Sequence, residues 1–167
     1  MKAFPANLGA EPSGSELEQR FNRFLYGRAD PNPQERYKTV LRQVGLRPTR
    51  QRMILAQLLF AGESRHVTAE MLFEEAIKMG TPLSLATVYN TLNQFTEAGL
   101  LSQVGVDGAK AFFDTNPSEH HHFFVENEGV LFDIPGAEAV VDRLPEAPVG
   151  FDIVRVSVVV RLRRKRS

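Results

Sequence analysis

Apolar residues recur at helical spacing in residues 84–98, and the polar face between them carries no charge until Glu97. The apolar positions follow an i, i+3, i+7, i+10 pattern, at Leu85, Val88, Leu92 and Phe95. Ser84 is a good N-cap, and Gly99 is a natural C-terminal stop. The pattern predicts an amphipathic helix whose other face offers hydroxyl, phenol and amide groups, from Thr87, Tyr89, Asn90, Asn93 and Gln94. Such a face can lie in the major groove of DNA, although an ordinary half-buried surface helix has the same pattern.

The neighbouring segments favour the DNA-binding interpretation. Helical spacing predicts three earlier helices, over 34–44 and after the caps Thr49 and Thr68. The link at residues 80–83 has the length of a helix-turn-helix connection. After Gly99 the chain predicts two strands, over 100–104 and 110–114, around a turn at 106–108. Helices followed by a hairpin predict a winged helix-turn-helix.

The second half of the chain has a different pattern. Residues 123–125 and 130–132 predict a hairpin, 136–144 a short helix and 151–162 a long strand. This last strand is too apolar to remain exposed, so we expect a second copy of the chain to pair with it.

The predicted fold class is therefore α+β. It comprises an N-terminal winged helix-turn-helix DNA-binding domain over 34–115 and a small α/β dimerisation domain over 116–167, which ends in a basic tail. Residues 1–33 are predicted to be an extension, partly disordered with a short helix.

The composition changes this picture in three ways. The chain has no cysteine, which excludes disulfides and thiolate zinc sites. It has neither an apolar run of membrane-spanning length nor a secretory signal pattern, so we expect a cytoplasmic protein that does not associate with membranes. The net charge is zero, but basic residues cluster in 34–52. We therefore predict that phosphates contact Arg47, Arg50, Arg52 and Lys110, and that bases face Ser84, Thr87, Tyr89 and Asn90.

Three consecutive histidines, His120 to His122, are the strongest sign of ligand chemistry. Strand alternation places His120 and His122 on one face and His121 on the other. Two imidazoles on one face can bind a single metal ion, whereas a polar strand entry without a ligand would need no such pairing.

Several of these motifs together resemble the ferric uptake regulator (Fur) family, over about residues 35–162. The similarity lies in GLRPTRQRMIL, HVTAEMLFEEA, LSLATVYNTLNQFTEAGLL, DGAK and the histidine cluster. The resemblance implies a dimeric winged-helix transcription regulator, usually a repressor, and places Tyr89 against DNA bases. It also implies a regulatory metal site formed by His66, Asp107, His122 and Asp133. A second family site would use His120 and Glu138. Val156 stands near the position of the last histidine of that site, and valine cannot bind a metal ion.

Within the family, the triple histidine and the missing cysteines are most similar to the iron response regulator subgroup of α-proteobacteria. Val125 and Glu128 occupy the place of the family's first cysteine pair, so no structural zinc of the cysteine type can form. The resemblance implies a divalent metal (Fe, Mn or Zn) and a haem site at His120, His121 and His122. It further implies an AT-rich palindromic DNA operator, a homodimer and a haem-delivering protein as partners.

Three other functions compete with an iron- or haem-responsive regulator. One is a manganese- or zinc-responsive regulator of the same family, and another is a winged-helix module that contacts only proteins. The third is a metallohydrolase, but the chain has no HExxH motif and no nucleophile motif, so we do not expect an enzyme.

Overall fold

The computed structural model describes residues 32–107, 110–135 and 143–165. Predictions for residues 1–31, for Glu138 and for all but the last two residues of the helix over 136–144 lie outside this described part of the chain; residues 143–144 are not helical. The side chains of Asp107 and Lys110 are not described either, although both residues have a place in the backbone pairing.

Four helices form the first half of the structure: α1 (Pro33–Gln43), α2 (Arg50–Phe60), α3 (Ala69–Lys78) and α4 (Leu85–Glu97). The caps predicted for the last three are confirmed. Thr49, Thr68 and Ser84 each accept a hydrogen bond from the backbone N–H three residues on, which satisfies a donor of the first turn. Gly80 follows α3 at φ 71°, and a left-handed residue of this kind turns the chain sharply into α4.

The helices enclose one apolar core. All four helices contribute to it, and Leu59, Leu72, Leu92 and Phe95 are fully buried. The predicted apolar face of α4 is therefore its packed face. Its polar face, including Tyr89 and Asn90, is left exposed.

A first sheet follows the helices in strand order β1-β3-β2. Its strands are β1 (His66–Val67), β2 (Ser102–Asp107) and β3 (Lys110–Asp114), all antiparallel. The β2–β3 hairpin is the predicted wing. The two-residue strand β1 was not predicted, because two residues carry no readable alternation.

A second sheet has the strand order β5-β4-β6, from β4 (His122–Val125), β5 (Val130–Asp133) and β6 (Val159–Leu162). The β4–β5 hairpin is confirmed, and β6 runs parallel to β4. The long strand predicted over 151–162 is wrong for most of its length, since only its last four residues pair. The α+β fold class is confirmed, whereas the domain boundary at 115/116 stays a prediction.

The wing packs against the second sheet. A small apolar core joins them, formed by Val104, Val106, Phe112, Phe124, Leu131 and the partly buried Val159. At the edge of this core Arg161 donates to the backbone carbonyl of Val106, lies over the Phe124 ring at 5.9 Å and pairs with Glu126 at 3.4 Å. Among the described residues, no helix combines the length and apolar character needed to cross a membrane.

Candidate functional site

Two cross-strand pairs of histidine and aspartate build the candidate metal site. In the first sheet His66 of β1 lies opposite Asp114 of β3. In the second sheet His122 of β4 lies opposite Asp133 of β5. Side chains at directly opposed positions of a pair of strands are close neighbours, so each sheet supplies one preformed imidazole–carboxylate pair. His120, just before β4, completes a five-residue cluster whose ligand atoms all lie within 4.8 Å of one another.

The spacing of these atoms fits a single bound cation. Oδ2 of Asp114 lies 2.9, 3.3 and 3.5 Å from Nε2 of His120, His122 and His66. Oδ1 of Asp133 lies 3.0, 3.2 and 3.8 Å from Nε2 of His66, His120 and His122. Neighbouring ligand atoms around a cation with bonds of about 2.1 Å are separated by roughly 3.0 to 3.4 Å.

The cluster is not satisfied by its own hydrogen bonds. Nε2 of His66, Nε2 of His120 and Oδ1 of Asp133 are buried and have no hydrogen-bond partner among the described residues, although they are within 3.2 Å of an opposite group. These three atoms lie close together without hydrogen-bond geometry between them, which indicates that their side chains point at one common position. Of the three rings, His122 alone meets Asp114 with hydrogen-bond geometry. The residues present therefore fit a divalent metal ion.

Outer contacts hold two of the ligands in the required orientation. His120 Nδ1 lies 2.8 Å from the carbonyl oxygen of Ser118, which can only accept, so the ring proton is on Nδ1 and Nε2 is left for a metal. Oδ1 of Asp114 accepts from the backbone N–H of Asn116 at 2.8 Å, which leaves Oδ2 facing the histidines.

The electrostatics show what the cluster does without a metal ion. Burial alone would raise the pKa of Asp114, but the three histidine rings beside its carboxylate, together with the backbone N–H of Asn116, outweigh burial and hold that pKa well below its usual range. The Asp114 carboxylate in turn raises the pKa of His120 to about 9 against the opposing effect of burial. A proton on His120 thus compensates a buried carboxylate that a cation would otherwise neutralise.

Two of the predicted site residues lie elsewhere than the sequence led us to expect. Asp107 pairs with Lys110 at the turn end of the wing, five residues along β2 from Ser102, which lies opposite Asp114. At about 3.3 Å per residue this places Asp107 roughly 16 Å from the cluster, beyond the reach of an aspartate side chain. The acid that the hairpin contributes is Asp114.

His120 was predicted for a separate second site with Glu138, but it lies in the same cluster as His66, His122 and Asp133. Asp114 carries a signal that sequence reasoning missed. It ends the apolar strand KAFFD in the same way that Asp133 ends VLFD.

His121 lies apart from this cluster, as alternation predicts. Its Nδ1 accepts a long hydrogen bond of 3.4 Å from the backbone N–H of Val158, which places the ring proton on Nε2. The three histidines predicted to bind haem therefore divide into two in the metal cluster and one beside β6.

The predicted base-facing residues lie at the N-cap and in the first two turns of α4. Tyr89 and Asn90 are exposed on α4, and the hydroxyls of Ser84 and Thr87 lie 2.8 Å apart at its first turn. Tyr89 also donates to Glu70 of α3 at 2.6 Å.

The three predicted phosphate-binding arginines differ. Arg47 and Arg50 are exposed and fit that role, which stays a prediction. Arg52 instead donates from Nε and Nη2 to the side-chain oxygen of Gln94 on α4, at 3.2 and 2.9 Å. Its Nη1 donates to the carbonyl of Arg47 at 2.8 Å, so Arg52 ties α2 to α4.

Comparisons with known proteins point to one family. Residues 43–160 match the model of the ferric uptake regulator family. The chain is 36% identical over 117 residues to the ferric uptake regulation protein of Pseudomonas fluorescens, an alignment that covers 68% of this chain and 94% of that protein.

Two solved structures show the same fold. The structure of the ferric uptake regulator from Pseudomonas aeruginosa with manganese is similar at a TM-score of 0.61 and 31% identity, covering 78% of this chain and 98% of that one. A zinc-bound manganese uptake regulator is similar in fold alone, at a TM-score of 0.55 and 21% identity, covering 75% of this chain and 98% of that one.

Proposed function

We propose a specific role for this chain, which belongs to the ferric uptake regulator family of metal-responsive, DNA-binding transcription regulators, proteins that are not enzymes. The proposed role is that of a dimeric, cytoplasmic regulator of iron homeostasis of the iron response regulator type. The cluster of His66, Asp114, His120, His122 and Asp133 carries this proposal, because it joins the sheet of the helix-turn-helix half to the second sheet.

The donor set favours iron(II) or manganese(II) over zinc. Three imidazoles with two carboxylates suit Fe, Mn and Zn alike. Zinc, however, is almost always bound by four ligands, and five converging side chains exceed that number. A bound divalent cation would neutralise Asp114 and Asp133 and hold the five side chains together. A zinc-responsive regulator is therefore the weaker alternative. These ligands do not distinguish manganese(II) from iron(II), so the availability of each metal in the cell decides which one binds.

The chain's own residues connect this site to the DNA-binding helices. Arg65, the neighbour of His66, forms a two-point ion pair with Glu75 of α3, with Nη1 to Oε2 at 3.1 Å. The backbone of Arg65 exchanges hydrogen bonds with Thr115, the neighbour of Asp114. Both ligands from the first sheet are thus fastened to the helix that precedes α4. A change in their spacing would shift α3 and α4 against the second sheet.

Haem fits this arrangement poorly. His122 is fully buried, Nε2 of His120 lies 2.9 Å from Asp114, and Nε2 of His121 carries a proton while Nδ1 accepts from Val158. Each ring would have to leave its present contacts before it could ligate haem iron. A haem response, with a haem-delivering protein as partner, stays a prediction from the sequence. Its test is a titration of the Mn²⁺-loaded protein with haem, in which visible absorbance reports haem binding and a metal-sensitive dye reports any Mn²⁺ that is displaced.

A second copy of the chain is the partner that we propose for residues 149–154. Val149, Phe151, Ile153 and Val154 are exposed in an extended segment that leads into β6. In the described part of the second sheet, β6 is an edge strand bonded to β4 only. An apolar segment at a strand edge is a site for pairing with another chain. Sedimentation should show a dimer, and Phe151→Asp should shift it to a monomer.

Metal-dependent binding of a specific duplex tests the proposed function. A library of randomised 30-bp duplexes, selected with the full chain and Mn²⁺, should yield an AT-rich palindrome. Affinity for it should fall steeply as salt rises, because phosphate contacts release counterions. A library that yields no sequence, or a selected duplex that binds equally at all salt concentrations, would contradict DNA binding and favour a protein-interaction module.

A further inference from the structure

Tyr89 and Glu70 form a hydrogen bond at the exposed surface of the helix-turn-helix. The phenol of Tyr89 on α4 donates to Oε1 of Glu70 on α3 at 2.6 Å. This length is typical of a hydroxyl bound to an ionised carboxylate. Both side chains are exposed, so core packing does not require the contact.

The bond determines what the phenol can still offer. A tyrosine hydroxyl has one proton to donate and lone pairs that accept. The hydrogen bond to Glu70 raises the pKa of Tyr89, so the phenol stays protonated, and the 2.6 Å contact directs its proton at the Glu70 carboxylate. Tyr89 is left with an accepting oxygen and the apolar edge of its ring.

This difference matters at base edges. A phenol that is free to donate can bond N7 of either purine, O6 of guanine, O4 of thymine or a phosphate oxygen. A phenol that can only accept requires an amino group, on adenine or cytosine, and its ring can contact the thymine methyl. The amino group of adenine and the methyl group of thymine belong to the same base pair.

We propose that Glu70 is a specificity-determining residue, which holds the proton of Tyr89 so that Tyr89 favours an A·T pair in the operator. This inference rests on the proposed function, since it requires α4 to face DNA. Glu70 has a second, separate effect. Its negative charge near the duplex lowers affinity for every sequence alike, because binding depends on neutralising phosphates.

Base preference in the randomised duplex library, selected with Mn²⁺, separates the two effects. Glu70→Gln keeps an accepting oxygen and should keep the A·T preference, while total DNA affinity rises. Glu70→Ala should also raise total affinity but flatten the A·T preference at one position of each half-site, by about tenfold or more. Glu74→Ala is the matched control, since Glu74 is an exposed carboxylate one turn further along α3. It should leave the preference unchanged.

A double-mutant cycle tests whether Glu70 acts through the phenol. In a Tyr89→Phe background, Glu70→Ala should change base preference no further. If Glu70→Ala does not fold, Tyr89→Phe alone decides, because it removes the same hydrogen bond and should also weaken the preference. Two results would overturn the inference and leave the proposed function intact. One is an A·T preference that does not change in the folded variants. The other is an equal loss of A·T preference on Glu70→Ala in the wild-type and Tyr89→Phe backgrounds. A wild-type chain that selects no sequence would instead overturn the proposed function.

Discussion

Replacing Asp114 with asparagine should abolish most of the metal affinity, whereas Asp107→Asn should leave it unchanged. Asp114 is fully buried, and its Oδ2 lies within 3.5 Å of all three histidine Nε2 atoms. Asparagine has the same shape and keeps an oxygen that can accept from the N–H of Asn116. The substitution therefore removes the charge and one ligand while it preserves the local turn.

The magnitude follows from the proposed role of Asp114 as a direct ligand. Loss of an outer-shell partner of a ligand already lowers metal affinity by about 10- to 100-fold. Loss of one of five direct ligands should reach at least the upper end, about 100-fold or roughly 3 kcal/mol. Asp107 pairs with Lys110 at the far end of the hairpin, so its substitution should change affinity less than about twofold.

Competition between the protein and a fluorescent chelator for Mn²⁺ measures both affinities at one pH. Circular dichroism and thermal unfolding of the metal-free variants would show that each is folded. Weak binding in Asp107→Asn with near wild-type binding in Asp114→Asn would refute the assignment of the site and restore the ligand set predicted from the sequence.

Three further predictions concern single residues. Below pH 9 the raised pKa of His120 keeps its ring protonated in the metal-free chain. Mn²⁺ binding should therefore release about one proton near pH 7.5, and Mn²⁺ affinity should rise as the pH rises towards 9. Calorimetry in two buffers of different ionisation enthalpy would detect the released proton, and identical heats in the two buffers would contradict the prediction. Arg161→Ala should speed hydrogen exchange in the wing, because Arg161 donates to the wing carbonyl of Val106. Arg163→Ala should not, although Arg163, like Arg161, pairs with Glu126. Equal exchange rates in the two variants would contradict a role of Arg161 in holding the wing. Arg52→Ala should lower the free energy of unfolding by about 1–3 kcal/mol in denaturant titrations, because α2 and α4 lose the two hydrogen bonds from Arg52 to Gln94. A free energy of unfolding within about 0.5 kcal/mol of the wild-type value would instead favour the predicted phosphate-contacting role of Arg52.

Most of the fold could be predicted because its signals are local. Thr49, Thr68 and Ser84 cap their helices as the sequence indicates, and the apolar spacing of α4 gives its buried face. The strand over 151–158 was wrong because apolar residues predict burial without specifying a partner. In the described chain that segment has no neighbouring strand, and its residues are largely exposed.

The site could be predicted only in part because its ligands meet through strand register. The resemblance to the family, rather than any spacing, named His66, His122 and Asp133, and the structure brings these three side chains together. Asp114 depends on a pairing with His66 that exists only because the short strand β1 joins β3. No spacing within the sequence encodes that pairing, and the resemblance pointed instead to the acid in the wing turn, Asp107.

The proposed function depends above all on the coupling of metal binding to DNA binding. Fluorescence anisotropy of the library-selected duplex should be measured for the wild-type chain and Asp114→Asn, each with a chelator and with saturating Mn²⁺. If the cluster regulates DNA binding, Mn²⁺ should change the DNA affinity of the wild-type chain at least tenfold and leave that of Asp114→Asn nearly constant. A wild-type affinity that does not depend on Mn²⁺, or a full Mn²⁺ response in Asp114→Asn, would contradict regulation through this cluster.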